Sequence, residues 1–274
     1  MNKKGKINYP GVLLIFLSLI SYDNPQKFQA EKKTIMAVFA HADDEIDITP
    51  LLSKYSKEGH NIYLVIATKG EKGFSKREVI PKGDSLALAR ALEANCACEK
   101  LGINPPILLE MGDGTLGEDF TGMPLHKSLD SLFRLYKPDV VITWGPEGGY
   151  GHIDHRMVSN SVTEIFQSGK SQFPKKLFYT AIPTEHFETY PTAATEDGRW
   201  LFNHWKPVKK EWLTVRVHCD KVDTDNALKA MDCYKTQFTD EEMEDNHNWL
   251  LHMNRDTVFL RPFIPLTKIE YTIL

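Results

Sequence analysis

The chain has 274 residues, of which 42% are hydrophobic and 26% charged, with a formal net charge of −4; that suits one large globular domain with an ordinary core. A mildly acidic balance without clustered Lys and Arg argues against a nucleic-acid surface. No CxxC pair occurs among Cys96, Cys98, Cys219 and Cys233, which removes a zinc-ribbon or thioredoxin-like reading.

Residues 1–30 differ from the rest. Lys3, Lys4 and Lys6 precede "GVLLIFLSLIS", eleven uncharged residues, the pattern of a secretory signal peptide. The stretch is shorter than the ~20 apolar residues a bilayer-spanning helix needs. The expectation is export to a periplasm or medium, with no stable membrane insertion once the segment is removed; an uncleaved N-terminal anchor is the alternative. The folded domain is then residues 31–274.

"KKTIMAVFA" is a short apolar run with the composition of a buried strand. After an acidic loop, Thr49 and Pro50 read as N-cap and first position of a helix that Gly59 stops. "NIYLVIAT" is the next strand, and "DSLALARALEANCACEKLG" a helix capped by Asp84 and closed by Gly102. "PILLEM", a helix over "LHKSLDSLFRLY", the strand "DVVITW" and a helix from about His155 to Gln167 follow. In the last hundred residues "KKLFYTAI", "EWLTVRVH" and "DTVFLRPFI" read as strands and "KVDTDNALKAMDCYKTQF" as a helix. Strand alternating with helix predicts an α/β fold: one domain, Rossmann-like, a mostly parallel sheet with helices on both faces. Cys96 and Cys98 diverge on their helix. Export permits disulfides, but core packing is the default for all four cysteines.

Ligands of such sheets bind at loops leaving the carboxyl ends of strands. Two such loops carry the chemistry. "AHADDEID" puts Asp43, Asp44, Glu45 and Asp47 directly after His41, and "GGYGHIDH" puts His152, Asp154 and His155 behind glycines and Tyr150. Clustered carboxylates at a strand end need a positive partner, and a divalent cation supplies one. Two histidines and a carboxylate with one open position is a catalytic zinc donor set. Asp43 and Asp44 diverge as sequence neighbours, so one is free to ligate while the other faces the water as a base. A nearby imidazolium would stabilise the oxyanion and protonate a leaving amine. Each motif alone is weak, since HxxD is common and HxDH also describes a helix start capped by Asp154. Their shared position on one rim gives them weight. Gly70, Glu71 and Gly73 lack the GxGxxG and Walker patterns, which excludes a nucleotide loop.

"AHADDE" resembles the AHPDDE signature of the LmbE-like and PIG-L deacetylases, the family of N-acetylglucosaminyl-phosphatidylinositol de-N-acetylase. "GGYGHIDH" resembles its HPDH element, "TKGEKG" its TxGExG, "ARALEA" its RxxE helix, "MGDG" its Asp-Gly loop and "YKTQF" a later segment. The resemblance implies a Rossmann-like sheet and zinc-dependent hydrolysis of an N-acetyl group, usually on a glucosamine, with Fe2+ the other fitting metal. It implies His41, Asp44 and His155 as metal ligands and Asp43 as general base. It further implies His152 as a charged imidazole oriented by Asp154, Tyr150 as an oxyanion or proton donor, and Arg90 and Asp113 as substrate contacts. Ala42 and Ile153 stand where the family has proline, which loosens the loop backbone without touching the chemistry. "ITP" at 48–50 replaces a glycine pair and is expected to reshape the pocket mouth.

Three functions remain open on sequence alone: removal of an acetyl group from an N-acetylated amino sugar, cleavage of a larger acyl or peptide-like amide by the same machinery, and a silent sugar-binding protein. The substrate in each case is a small molecule or oligosaccharide. The five tryptophans are expected mostly in the core, with part of the Trp200–Trp212 stretch as a sugar-stacking wall.

Overall fold

A computed structural model describes Met1 and residues 31–274, apart from residues 78, 79, 119–122, 171 and 255. The chain divides into residues 1–31 and a compact unit from Lys32 to Leu274, and everything below concerns the second. The expected export segment lies outside the described residues. Among those described, no helix is long and apolar enough to cross a membrane.

In chain order the elements are β1 (Thr34–Phe39), α1 (Thr49–Lys57), β2 (Asn61–Thr68), α2 (Asp84–Leu101), β3 (Ile107–Met111), α3 (Met123–Tyr136), β4 (Val140–Trp144), α4 (Ile153–Gln167), β5 (Lys176–Thr180), α5 (Thr184–Glu188), α6 (Glu196–His204), β6 (Val215–His218), α7 (Lys221–Met231), α8 (Asp240–Asn254) and β7 (Thr257–Pro262). The sheet runs β3-β2-β1-β4-β5-β7-β6. Its first five strands are parallel, and β7 pairs antiparallel with both β5 and β6.

Alternation along β1 explains the layers. Ile35, Ala37 and Phe39 face a core shared with Leu51, Leu52 and Tyr55 of α1 and Ala94 and Ala97 of α2. Met36 and Val38 face the opposite core, built with Leu129 and Phe133 of α3 and Val158 and Val162 of α4. A strand buried on both faces must be apolar throughout, as this one is. Strand order reverses between β1 and β4: the chain winds from β1 to β2 and β3 on one side, then returns to β4 on the other. That switch point is where such sheets open a crevice.

Several local expectations are corrected. Thr49 is the first residue of α1, not its cap; its hydroxyl instead donates to Ile46 O at 2.7 Å. Gly83, at φ +95°, precedes α2 where Asp84 was expected to cap. α4 starts at Ile153, two residues early, because the His152 ring caps it. α7 stops at Met231, and Tyr234, Thr236 and Gln237 leave the helix to bond other segments. Ile48, Thr49 and Pro50 are buried in the core and not at the pocket mouth. Cys96 and Cys233 form a disulfide, while Cys98 and Cys219 stay free and buried. The pairing spans 137 residues, so no local spacing announces it.

Candidate active site

β1 ends at Phe39 and β4 at Trp144, side by side at the switch point, so their following loops meet. The first loop turns sharply: Asp43 sits at φ +91°, a left-handed conformation that costs a non-glycine residue about 1–2 kcal/mol. Asp44 is held by three donors, since its Oδ2 accepts Ala40 N at 3.0 Å, His41 N at 2.9 Å and Trp144 Nε1 at 3.1 Å. The other two acids go elsewhere. Glu45 is fully buried and accepts the Tyr234 hydroxyl. Asp47 accepts Trp249 Nε1 at 3.0 Å.

In the second loop Gly148, at φ +65°, gives its carbonyl to His155 Nδ1 at 3.2 Å. A Cβ there would lie 3.1 Å from the His152 carbonyl oxygen, so glycine is required both by conformation and by space. The Trp144 ring stacks on His155 at 4.6 Å and 3°. His155 Nε2 lies 3.1 Å from Asp44 Oδ1 and 3.1 Å from His41 Nδ1. His41 Nε2 lies 3.2 Å from Asp113 Oδ1 and 3.4 Å from Asp154 Oδ2.

These partners assign the tautomers. His155 Nδ1 faces a carbonyl and carries hydrogen; His41 Nε2 faces carboxylates and carries hydrogen. Their remaining nitrogens, His155 Nε2 and His41 Nδ1, therefore point lone pairs at each other beside a carboxylate oxygen. Only a cation or an added proton satisfies that arrangement. Ligating imidazoles commonly donate their other N–H to a carboxylate or carbonyl, so His41, Asp44 and His155 fit a divalent metal. His152 also brings a ring nitrogen within 4.8 Å of His41 and His155. His41, Asp113 and Asp154 form a second possible group. It fits less well, because the Asp154 oxygens already accept Gly114 N at 2.7 Å and Leu116 N at 3.1 Å.

The charges agree. Burial pulls His41 down, but Asp44, Asp113 and Asp154 outweigh it and hold the ring well above its usual pKa. Burial, then Asp44, pushes Asp43 well up. Asp44 goes well down despite its burial, through His155 and His41. Burial and the neighbouring His41 and His155 lower His152. Burial, then the surrounding carboxylates, raises Tyr150.

The sequence-derived residues are placed as follows. His41, Asp43, Asp44, Tyr150, His152, Asp154 and His155 come together. Asp154 meets His152 through its backbone: its N–H donates to His152 Nδ1 at 3.1 Å, and its carboxylate points to Gly114, Leu116 and His41. Asp113 faces His41. Arg90 is buried against Gly70 and Gly73 and lines a separate cavity of about 250 Å3. The cavity at the metal loop is about 390 Å3 and is lined by Asp43, Asp44, Tyr150, Trp200, Trp205 and Trp249 among others. Trp200 and Trp212 are half exposed, 50% and 55%; of the Trp200–Trp212 stretch set apart from the core in the sequence reading, Trp200 and Trp205 line the cavity and Trp212 does not. Sequence reasoning missed Trp144 and Trp249 as carboxylate donors, and Gln237, whose Nε2 donates to Ala42 O at 2.7 Å. No local signal marks the two tryptophans, which act across 100 residues or more, whereas Gln237 lies in the "YKTQF" segment that the family resemblance had already matched.

The family model that matches is PIG-L, described as GlcNAc-PI de-N-acetylase, over residues 36–166. Residues 36–166 are a PIG-L family domain. A Mycobacteroides abscessus protein named 1D-myo-inositol 2-acetamido-2-deoxy-alpha-D-glucopyranoside deacetylase is 30% identical over 184 residues, covering 60% of this chain and 66% of its own length. Other curated relatives are matched over about half their length, 48% and 45%. The structure of N,N'-diacetylchitobiose deacetylase from Pyrococcus horikoshii aligns with TM-score 0.63 at 19% identity, covering 85% of this chain and 84% of that one. The 4-carboxy-2-hydroxymuconate hydratase of Pseudomonas putida aligns with TM-score 0.61 at 15% identity, covering 88% of this chain and 100% of that one. At these identities the likeness is one of fold, which serves both a deacetylase and a hydratase, so activity must be argued from the site.

Proposed function

We propose that the protein is a metal-dependent N-deacetylase that hydrolyses the acetyl amide of an N-acetylglucosamine-type sugar. The observation that carries this reading is the facing pair of imidazole lone pairs beside Asp44 Oδ1. His41, Asp44 and His155 hold the cation, zinc being the metal this donor set favours and Fe2+ the alternative. When bound there, the cation supplies Lewis acidity, easing deprotonation of water and polarising a carbonyl.

The remaining steps belong to the chain's own residues. Asp43 lines the cavity next to Asp44 and takes the proton of the attacking water, then delivers it to the departing nitrogen. His152 Nδ1 accepts a backbone N–H, so the neutral ring carries its hydrogen on Nε2. It acts as a hydrogen-bond donor to the developing oxyanion, in place of the charged imidazole expected from sequence. Tyr150, with its ring 5.2 Å from His155, adds a second donor. Trp200, Trp205 and Trp249 suit the faces of a pyranose ring. Export, inferred from residues 3–21, would direct the enzyme to extracellular or envelope saccharides; recovery of the mature protein from the cytoplasm with its first twenty residues intact would refute that.

The test is acetate release from N-acetylglucosamine, N,N'-diacetylchitobiose, an N-acetylglucosaminyl-inositol and a peptidoglycan fragment, with a chelator control. Chelator-sensitive release from one or more is expected. No release from any, with one metal bound per chain, would contradict the proposal.

A further inference from the structure

The cavity beside the metal loop is aromatic on one side and acidic on the other. Trp200 stands edge-on to Tyr150 with ring centroids 5.6 Å apart, and Trp205 edge-on to Trp249 at 5.2 Å. Away from the metal loop, the lining includes three carboxylates, Asp197, Glu242 and Asp245, against one ammonium, Lys76. Lys76 is already committed, being ion-paired to Asp197 and, at 2.9 Å, to Glu242. Asp245 is turned inward to the Ala194 and Thr195 backbone N–H groups at 2.9 and 2.8 Å. The cation of the lining is therefore matched by its own neighbours, and an incoming ligand meets a surplus of negative charge.

We infer that this pocket selects its ligand by charge: next to the acetylated ring it accepts an amino sugar bearing a free ammonium and disfavours one bearing a carboxylate or phosphate. The inference rests on the deacetylase reading for which ring carries the acetyl group. The elements involved are separate from the metal loops, since Lys76 follows β2, Asp197 lies on α6 and Glu242 on α8. Field strength in a walled cavity exceeds that of an open surface. Asp197 is 64% exposed, however, and Glu242 only 11%, so a change of one charge at Asp197 is worth on the order of threefold in affinity. A further consequence is that a partly deacetylated oligosaccharide remains a ligand, because each turnover leaves an ammonium that the acidic side accommodates.

The experiment measures binding to the full-length, zinc-loaded protein by rapid-mixing tryptophan fluorescence. Three disaccharides share an N-acetylglucosaminyl ring and differ in the second sugar: glucosamine, N-acetylglucosamine or glucuronic acid. The expected order of affinity is ammonium, then neutral, then carboxylate, with steps of about threefold or more that shrink at high salt. Asp197→Asn is expected to compress the spread and Lys76→Met, which leaves two carboxylates uncompensated, to widen it. Equal affinities, tighter binding of the glucuronic acid compound, or no binding of any of the three would overturn the inference. Charge-ordered binding without acetate release in parallel samples would instead count against the deacetylase reading and leave the selection intact.

Discussion

Removing the Cys96–Cys233 disulfide is expected to destabilise the protein by an amount that its topology sets. The bond joins α2 to the segment after α7 across 137 residues of sequence. Closing a loop of that length in the unfolded chain stabilises the native state by about 5 kcal/mol in the chain-entropy account. For a domain of this size each 1 kcal/mol moves the melting midpoint by roughly 2–4 °C, so the loss corresponds to roughly 10–20 °C. The bond also holds a segment the site depends on. Within it the Tyr234 hydroxyl bonds Glu45, Thr236 N and Oγ1 bond Glu93 at 2.6 and 2.8 Å, and Gln237 bonds the Ala42 carbonyl in the metal loop. Calorimetry of the wild type and a Cys96→Ser/Cys233→Ser variant, with thiol titration after denaturation, makes the comparison. Two thiols are expected without reductant and four with it, because Cys98 and Cys219 are free. Their burial raises both pKa values, that of Cys219 to about 12, which keeps them from exchanging with the bond. Equal midpoints, or four thiols in the unreduced protein, would refute the reasoning.

Asp43→Ala is expected to keep metal content nearly unchanged while lowering turnover at least ~100-fold, the scale of a lost general base; loss of metal instead would reverse the roles of Asp43 and Asp44. Burial raises Asp47 to about 6 from an unfolded value near 3.9, so folding favours the protonated form and the group's contribution is greatest below about pH 4, falls as pH rises to 6, and amounts to about 3 kcal/mol lost above that. Asp47→Asn keeps an acceptor for Trp249 Nε1 and is expected to flatten that segment of the stability–pH curve while raising the midpoint at pH 7; an unchanged slope in urea titrations between pH 4 and 7 would refute it. Gly148→Ala forces a left-handed alanine against the His152 carbonyl, at a cost of about 1–2 kcal/mol, and is expected to weaken metal retention through His155; equilibrium dialysis showing wild-type affinity would contradict this.

The sheet and the site's first layer were legible because they rest on short-range signals. Each parallel strand is a contiguous apolar run, and both site loops follow directly from strand ends, so His41, Asp44 and His155 announce themselves by position. What escaped depends on contacts between distant parts of the chain. The indole of Trp144 fixes Asp44, that of Trp249 satisfies Asp47, and Cys233 meets Cys96 where α7 packs on α2. Helix boundaries slipped for a related reason. The His152 ring caps α4 in place of the Asp154 cap weighed as an alternative, and the Asp154 carboxylate accepts from Gly114 and Leu116 and does not orient His152. Arg90 lies on the helix its motif indicated; the glycines at 70 and 73 leave room for its guanidinium, which lines a separate cavity while its charge still acts on Asp43 and Asp113.

The central claim is that a divalent cation held by His41, Asp44 and His155 is essential to amide hydrolysis. Its most direct test is acetate release from N,N'-diacetylchitobiose by metal-stripped protein titrated with Zn2+. The account predicts no release from the stripped protein and recovery that saturates at one equivalent per chain. Full activity in the stripped protein, or recovery that persists in His155→Ala at the same stoichiometry, would contradict it.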